Sequence, residues 1–198
     1  KDVVGYIPTT TIARKPAGGG KMHENVNMLS PYRINTFLAD GKSKEYYLDV
    51  MNIDDDFKPI VKINDKIIPN PDSSITSYTV DYENGVIKFP VAPNEPLTDG
   101  QDNVSIQFKK AVPKYVSCIM NCTLLQVFDN RVFVSGNPEH PNMLWHCRLN
   151  DPSYFSDLDY YQEGMDSAQI KGMVAGNNAL WVFREPSEAN TNVFYHTP

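Results

Sequence analysis

The sequence predicts an all-β chain, a small antiparallel β-sandwich followed by propeller-blade-like β-hairpins. Three observations carry that expectation. Short runs of strand-favouring residues alternate apolar with polar and are bounded by turn signals. The 198 residues include 15 Pro, 11 Gly and 11 Tyr, which favours many turns and aromatic-rich strands over long helices. No stretch keeps an amphipathic helical period for several turns. The expected organisation is an irregular segment over residues 1–35, a sandwich module over residues 36–110, and a partial blade-like region over residues 111–198.

In residues 1–35, Ile7-Pro-Thr-Thr-Thr-Ile12 reads as an extended edge segment. The run Gly18-Gly-Gly20 reads as a connector, since it lacks the Lys-Ser/Thr pair of a phosphate-binding loop. In the sandwich region, Lys44 to Val50, Ile60 to Ile63, Lys66 to Ile68, Tyr78 to Tyr82, Val86 to Phe89 and Asp102 to Phe108 read as strands. Asp40-Gly41, Asn64-Asp65 and Asn84-Gly85 mark turns, the last expected to be a two-residue type I′ hairpin turn with positive φ at both positions. Val104, Ile106 and Phe108 share one face while Ser105 and Gln107 take the other. Five or six short strands are expected in this module.

Beyond Val112 the pattern changes. The apolar run from Tyr115 to Phe128 reads as strands covered on both faces. Asp129-Asn-Arg131 is a turn and Val132 to Ser135 its return strand. Met143 to Arg148, Ala168 to Val174, Ala179 to Arg184 and Asn192 to Tyr195 complete the strands, and residues 154–164 form an acidic aromatic loop. Asn130-Arg-Val-Phe-Val-Ser135 and Asn178-Ala-Leu-Trp-Val-Phe183 stand 48 residues apart, near the period of a kelch-sized blade.

Charge and composition exclude some classes of function. A net charge of −6 and a pI near 5.2, with no Lys/Arg run, argue against nucleic-acid binding. No apolar stretch approaches the ~18 residues of a membrane-spanning helix. Three cysteines, Cys118, Cys122 and Cys147, make no disulfide framework and fit a reducing compartment. The chain opens at Lys1 and closes at Pro198 in what reads as a strand cut short. That suggests a piece of a longer protein, in which missing targeting signals carry no weight.

Several residue groups invite chemistry. Cys118 and Cys122 with His140, His146 and Cys147 suggest zinc. On a strand, however, Cys118 and Cys122 would lie about 13 Å apart, and only a local helix would bring them together. His146 and Cys147 are strand neighbours on opposite faces, so they cannot act as a nucleophile and its base. Asn52-Ile-Asp-Asp-Asp56 offers oxygen ligands for Ca²⁺ but lacks the Gly and terminal Glu of an EF-hand loop. Asp151, Asp157, Asp159, Glu163 and Asp166 resemble a source of paired carboxylates for glycoside hydrolysis, with Tyr154, Phe155, Tyr160 and Tyr161 as sugar-stacking platforms. Trp145 and Trp181 sit mid-strand, where core packing is expected. None of these groups has catalytic spacing, so no catalytic, cofactor-binding or metal residue is assigned.

The motifs Asp129-Asn-Arg-Val-Phe-Val-Ser-Gly-Asn-Pro138, Leu149-Asn-Asp-Pro-Ser-Tyr-Phe155 and Gly176-Asn-Asn-Ala-Leu-Trp-Val-Phe183 resemble the blades of β-propeller virion proteins. These are stabilisation or nozzle proteins of tailed phages and prophages. Gly5-Tyr-Ile-Pro-Thr-Thr-Thr11 and Asn25-Val-Asn-Met-Leu29 resemble the segment preceding such blades, and the middle module is similar to small β modules of phage tail and fibre proteins. The resemblance implies a non-enzymatic structural protein of a virion (tail, nozzle or head–tail stabilisation), made in a bacterial host's cytoplasm and working through contacts with other virion subunits. It also implies homo-oligomerisation, since two blades are too few to close a propeller. The alternative is a carbohydrate-recognising or carbohydrate-cleaving tail module that uses residues 154–164.

Overall fold

The computed structural model describes residues 4–14, 16, 22–69, 75, 77–186 and 192–198. The connector reading of Gly18 to Gly20 lies outside the described residues. The chain divides into two compact units. A sandwich unit comprises Ile7–Glu24 and Pro31–Ala111, and a meander unit comprises Lys1–Tyr6, Asn25–Ser30 and Val112–Pro198. Among the described residues no helix is long and apolar enough to cross a membrane.

Among its described residues the sandwich unit has eight strands: β1 (Thr9–Thr11), β2 (Tyr32–Phe37), β3 (Glu45–Tyr47), β4 (Ile60–Ile63), β5 (Lys66–Ile68), β6 (Thr79–Asp81), β7 (Val86–Lys88) and β8 (Val104–Lys109). They form a five-stranded sheet in the order β1-β2-β8-β4-β5 and a three-stranded sheet in the order β3-β7-β6. Every pairing is antiparallel except β1 with β2, which is parallel. Six of the eight, β3 to β8, lie within residues 36–110, as the five or six strands expected there; β1 is the edge strand in the Ile7–Ile12 segment, and β2 begins at Tyr32, inside the segment expected to be irregular. β2 was hidden from pattern reading because Tyr32-Arg-Ile-Asn-Thr-Phe37 does not alternate cleanly in polarity. Its pairing with β8 over all six residues supplies the order instead.

One core lies between the two sheets, built on Phe37, Tyr46, Val61, Ile87, Val104, Ile106 and Phe108. In β8 the buried and half-buried residues alternate strictly, as the sequence requires of a strand with one face on a core. Asn64 and Asp65 both adopt positive φ, +48° and +63°, which gives the β4–β5 hairpin a turn twisted like its strands. Asn84-Gly85 departs from expectation. Only Gly85 is left-handed, at +63°, and the loop takes four residues between Asp81 and Val86. The Asp81 carboxylate accepts the Asn84 backbone N–H at 3.0 Å, favouring an open Asx turn over a two-residue reversal. Gly85 is required there twice over: a Cβ would stand 2.1 Å from the Val50 carbonyl oxygen.

The Tyr46 ring is fully buried between Phe37 and Phe89, edge-on to each. Its hydroxyl is enclosed without a partner among the described residues, and burial pushes the phenol's pKa up. A buried hydroxyl that makes no hydrogen bond costs about 1–3 kcal/mol. Tyr46→Phe is therefore expected to leave stability unchanged or raise it by about 1 kcal/mol, read as a higher urea midpoint. A lowered midpoint would mean that the hydroxyl has a water or side-chain partner.

The meander unit begins with α1 (Tyr115–Met120) and continues through β9 (Leu124–Phe128), β10 (Arg131–Ser135), β11 (Met143–His146), β12 (Tyr160–Gln162), β13 (Ile170–Gly176), β14 (Ala179–Arg184) and β15 (Val193–His196). β9 to β12 form a four-stranded antiparallel sheet in chain order, and β13 to β15 a three-stranded one. Two expectations are corrected here. Tyr115 to Phe128 is a short helix and one strand rather than continuous strand; the helix buries Ile119 in the core and packs Tyr115 and Cys118 against it. Residues 154–164 are not one loop, because Tyr160–Gln162 pairs with Met143–Trp145.

The four-stranded sheet is covered on both faces. Val134, Trp145 and Cys147 meet Met28, Ile119 and Phe155 on one side. Phe133 and Leu144 meet Ile170, Leu180 and Val182 of the second sheet on the other. The β9–β10 and β13–β14 hairpins turn on Asp129-Asn130 and Asn177-Asn178, all four residues at positive φ between 46° and 56°. Asn27 fastens the early segment to this unit. Only 1% exposed, its amide donates to the carbonyls of Tyr6 and Ser153 at 2.8 and 2.9 Å. Its carbonyl oxygen accepts from the backbone N–H groups of Leu29 and Phe155 at 3.1 and 3.0 Å.

Candidate interaction surface

The structure ties up four of the five carboxylates that suggested catalysis. Asp151 accepts from the Ser153 N–H and hydroxyl, Asp157 from the Tyr115 hydroxyl at 3.3 Å, Glu163 from His196 at 2.6 Å, and Asp166 pairs with Arg184. Each of these four carboxylates is committed to holding a loop or strand end, and no two of them share a partner. The stacking platform is halved as well. Tyr154 and Phe155 are buried, the first under the Arg148 guanidinium at 3.9 Å and the second in the core, whereas Tyr160 and Tyr161 remain exposed on β12.

In the Asn52 to Asp56 turn, a side-chain ammonium faces the carboxylates that could have offered Ca²⁺ ligands. Lys109 bridges Asp54 and Asp56, and the Lys110 ammonium donates to the Asn52 carbonyl. Cys118 and Cys122 are brought together, since the helix lets the Cys122 thiol reach the Cys118 carbonyl at 3.1 Å. All three cysteines are free thiols, and burial raises each of their pKa values, that of Cys122 to about 12. No group of three or more His, Cys, Asp or Glu fit to hold a metal occurs among the described residues. His146 and Cys147 do face opposite ways: the His146 ring lies against Phe133 and Tyr161, while Cys147 enters the other core.

Two features stand out that pattern reading did not single out. The first is a buried polar seam beside the second sheet. The Arg184 side chain is 1% exposed. It pairs with Asp166, donates through Nε to the Ala168 carbonyl at 3.2 Å, and lies over the Phe194 ring. Gly164, at φ +77°, leaves room for that guanidinium, since a Cβ there would be 2.1 Å from it. Asn142 secures the same loop by donating to the Gly164 and Asp166 carbonyls. The partners are 16 to 33 residues apart, so no local motif announces them.

The second feature is the outer face of the sheet β13–β15. Leu180, Val182 and Ile170 point into the core, and the alternate positions carry Val174, Trp181, Phe183, Val193 and Tyr195 outward. Tyr195 is 63% exposed, and Val174, Phe183 and Val193 are each more than 40% exposed. Trp181, expected in a core, lies half-buried on this face against the Tyr195 ring at 5.5 Å, its indole N–H donating to the Gly176 carbonyl. Trp145 is in the core as expected. In Ala179-Leu-Trp-Val-Phe-Arg184 the outward set Ala179, Trp181 and Phe183 is as apolar as the inward Leu180 and Val182, so the sequence does not tell the open face from the covered one. The fold is thus all-β in two units, and among the described residues the outer face of β13–β15 exposes aromatic and aliphatic side chains. Comparison with protein-family models, with curated proteins and with solved structures gave no match.

Proposed function

We propose that the chain is a structural component of a phage-type virion that works through subunit contacts and catalyses no reaction. The observation that carries this reading is the open apolar face of Val174, Trp181, Phe183, Val193 and Tyr195. An exposed apolar patch of this kind marks an association surface. The antiparallel four-strand order of β9–β12 is the order of a propeller blade. Its hairpin motifs are those through which the sequence resembles β-propeller virion proteins. The engagement of the site carboxylates in structural bonds also fits a protein without turnover.

Light scattering on the purified chain, with electron microscopy of the same sample, tests the reading; dimers, rings or larger assemblies are expected. The exposed pair Tyr160 and Tyr161 favours a second reading, carbohydrate binding. A strictly monomeric chain that binds one oligosaccharide on a glycan array, with binding lost in Tyr161→Ala, would replace the first reading by the second.

A further inference from the structure

We propose that Asn84–Gly85 is a modification site at which the chain can convert its own backbone, and that the Asp81 carboxylate holds the conversion off. The inference is independent of the assembly reading. This is the only Asn-Gly pair in the sequence, and glycine leaves the amide nitrogen after the asparagine unhindered. In the conversion that nitrogen attacks the Asn84 Cγ. A C–N bond forms and closes a five-membered imide, the Cγ–Nδ2 bond breaks, and ammonia leaves with the proton given up by Gly85. Water then opens the ring at either carbonyl, leaving aspartate or isoaspartate at position 84. Asn84 is exposed on the loop between β6 and β7, so water has access to it.

Three hydrogen bonds oppose the first step. Asp81 accepts the Asn84 backbone N–H at 3.0 Å, and the Asn84 amide donates to both carboxylate oxygens at 3.1 Å. Departure of ammonia breaks both bonds at Nδ2. The attack also requires Gly85 to give up its proton, and an ionised carboxylate close by raises the energy of the negative charge that develops there. The bonds to Asn84 favour the ionised form of Asp81, holding its pKa below the ordinary carboxylate value. The main chain is gripped as well. The N–H groups of Ile53, Asn52 and Leu48 donate to the carbonyls of Tyr82, Glu83 and Gly85 at 3.0, 2.9 and 2.9 Å, which opposes the rotation that ring closure needs.

Neither product fits the place that Asn84 occupies. Aspartate sets a second carboxylate against Asp81 where two donated bonds stood, and like charges at that separation repel. Isoaspartate adds a carbon to the main chain directly before Gly85, where even a Cβ would stand 2.1 Å from the Val50 carbonyl oxygen. Either change loosens the loop from residues 48–53, to which its carbonyls are fastened. The same contacts that slow the conversion are therefore the ones it undoes.

Incubation of the full chain at mildly alkaline pH tests the inference, with peptide mapping by mass spectrometry and isoaspartyl methyltransferase labelling as readouts. The folded wild-type chain is expected to convert at position 84 about 10-fold more slowly than the same chain in urea, the rate equivalent of one hydrogen bond to a charged acceptor. Folded Asp81→Ala should convert about 10-fold faster than folded wild type on the same grounds. Asp81→Asn, which keeps an acceptor without the charge, should lie between the two. Asn84→Gln should abolish the product, and Asn84→Asp should lower the urea midpoint. A folded wild-type chain that converts as fast as the unfolded one would overturn the inference, as would an unfolded chain that does not convert at all. That comparison needs no variant, so it decides the matter should Asp81→Ala fold poorly. A well-folded Asp81→Ala chain that keeps wild-type protection would overturn the role given to Asp81.

Discussion

Asn27→Ala is expected to destabilise the meander unit by about 4 kcal/mol, the largest effect of any single polar truncation in the chain. The side chain makes four hydrogen bonds with both of its amide atoms, all to main-chain groups. Truncation leaves two carbonyls and two N–H groups unpaired in a site that is 1% exposed, and each buried orphan costs about 1–3 kcal/mol before relaxation. Asn27→Asp should be worse near neutral pH, since it keeps the acceptor but sets a carboxylate against the Tyr6 and Ser153 carbonyls. Protonation restores one donor, so its defect should shrink as pH falls through the raised pKa of the new carboxyl. Urea unfolding at two pH values, followed by near-UV circular dichroism, reads both effects. A loss below about 1 kcal/mol for Asn27→Ala would mean that residues 25–30 are not part of the folded unit.

Arg184→Met should cost about 3 kcal/mol, the second-largest expected loss. It removes a guanidinium of 1% exposure that pairs with Asp166 and donates to Ala168, while keeping most of the apolar stem's volume. Asp166 is itself 30% exposed, which places the expectation at the lower end for broken buried pairs, because water reaches the abandoned carboxylate. The double variant Arg184→Met/Asp166→Leu should recover about two-thirds of that loss, since it leaves no unpaired charge behind. A double variant no more stable than the single one would mean that Arg184 acts through the Ala168 carbonyl and the Phe194 ring.

These two side chains also show where sequence reading stops. The hairpin turns were legible because left-handed φ is a property of the local backbone. Asn64-Asp65 and Asp129-Asn130 carry that preference in their residue types, although Asn84-Gly85 carries it too and its loop takes four residues instead. The alternation of Val104, Ile106 and Phe108 was legible for a similar reason, since a strand with one buried face writes its period into the sequence. Residues 115–120 were not, because a six-residue apolar run has the same pattern in a helix and a covered strand. The helix also starts at Lys114, with no side-chain cap to mark it. Asn27 finds two of its partners 126 and 128 residues away, and Glu163 finds His196 across 33. Such contacts are consequences of topology and leave no trace in local composition. Trp181 was placed in a core because strand position alone does not say whether anything covers the strand's second face.

The division of the chain has a consequence for the order in which it folds during synthesis. Pro31–Ala111 lies wholly within the sandwich unit, between two segments of the meander unit. A ribosome therefore delivers everything the sandwich needs before the first residue of β9 exists. The Lys110 N–H bonds to the Pro31 carbonyl at 2.8 Å, so the completed sandwich holds its own entry and exit strands side by side. Closing an unstructured loop of roughly 80 residues would cost about 4 kcal/mol in chain entropy, and the sandwich has already met that cost when Asn27 must find Phe155. The nested domain thus works as a clamp on the search. Lesions in its core, far from any meander residue, should slow meander refolding even where the meander's own contacts are untouched.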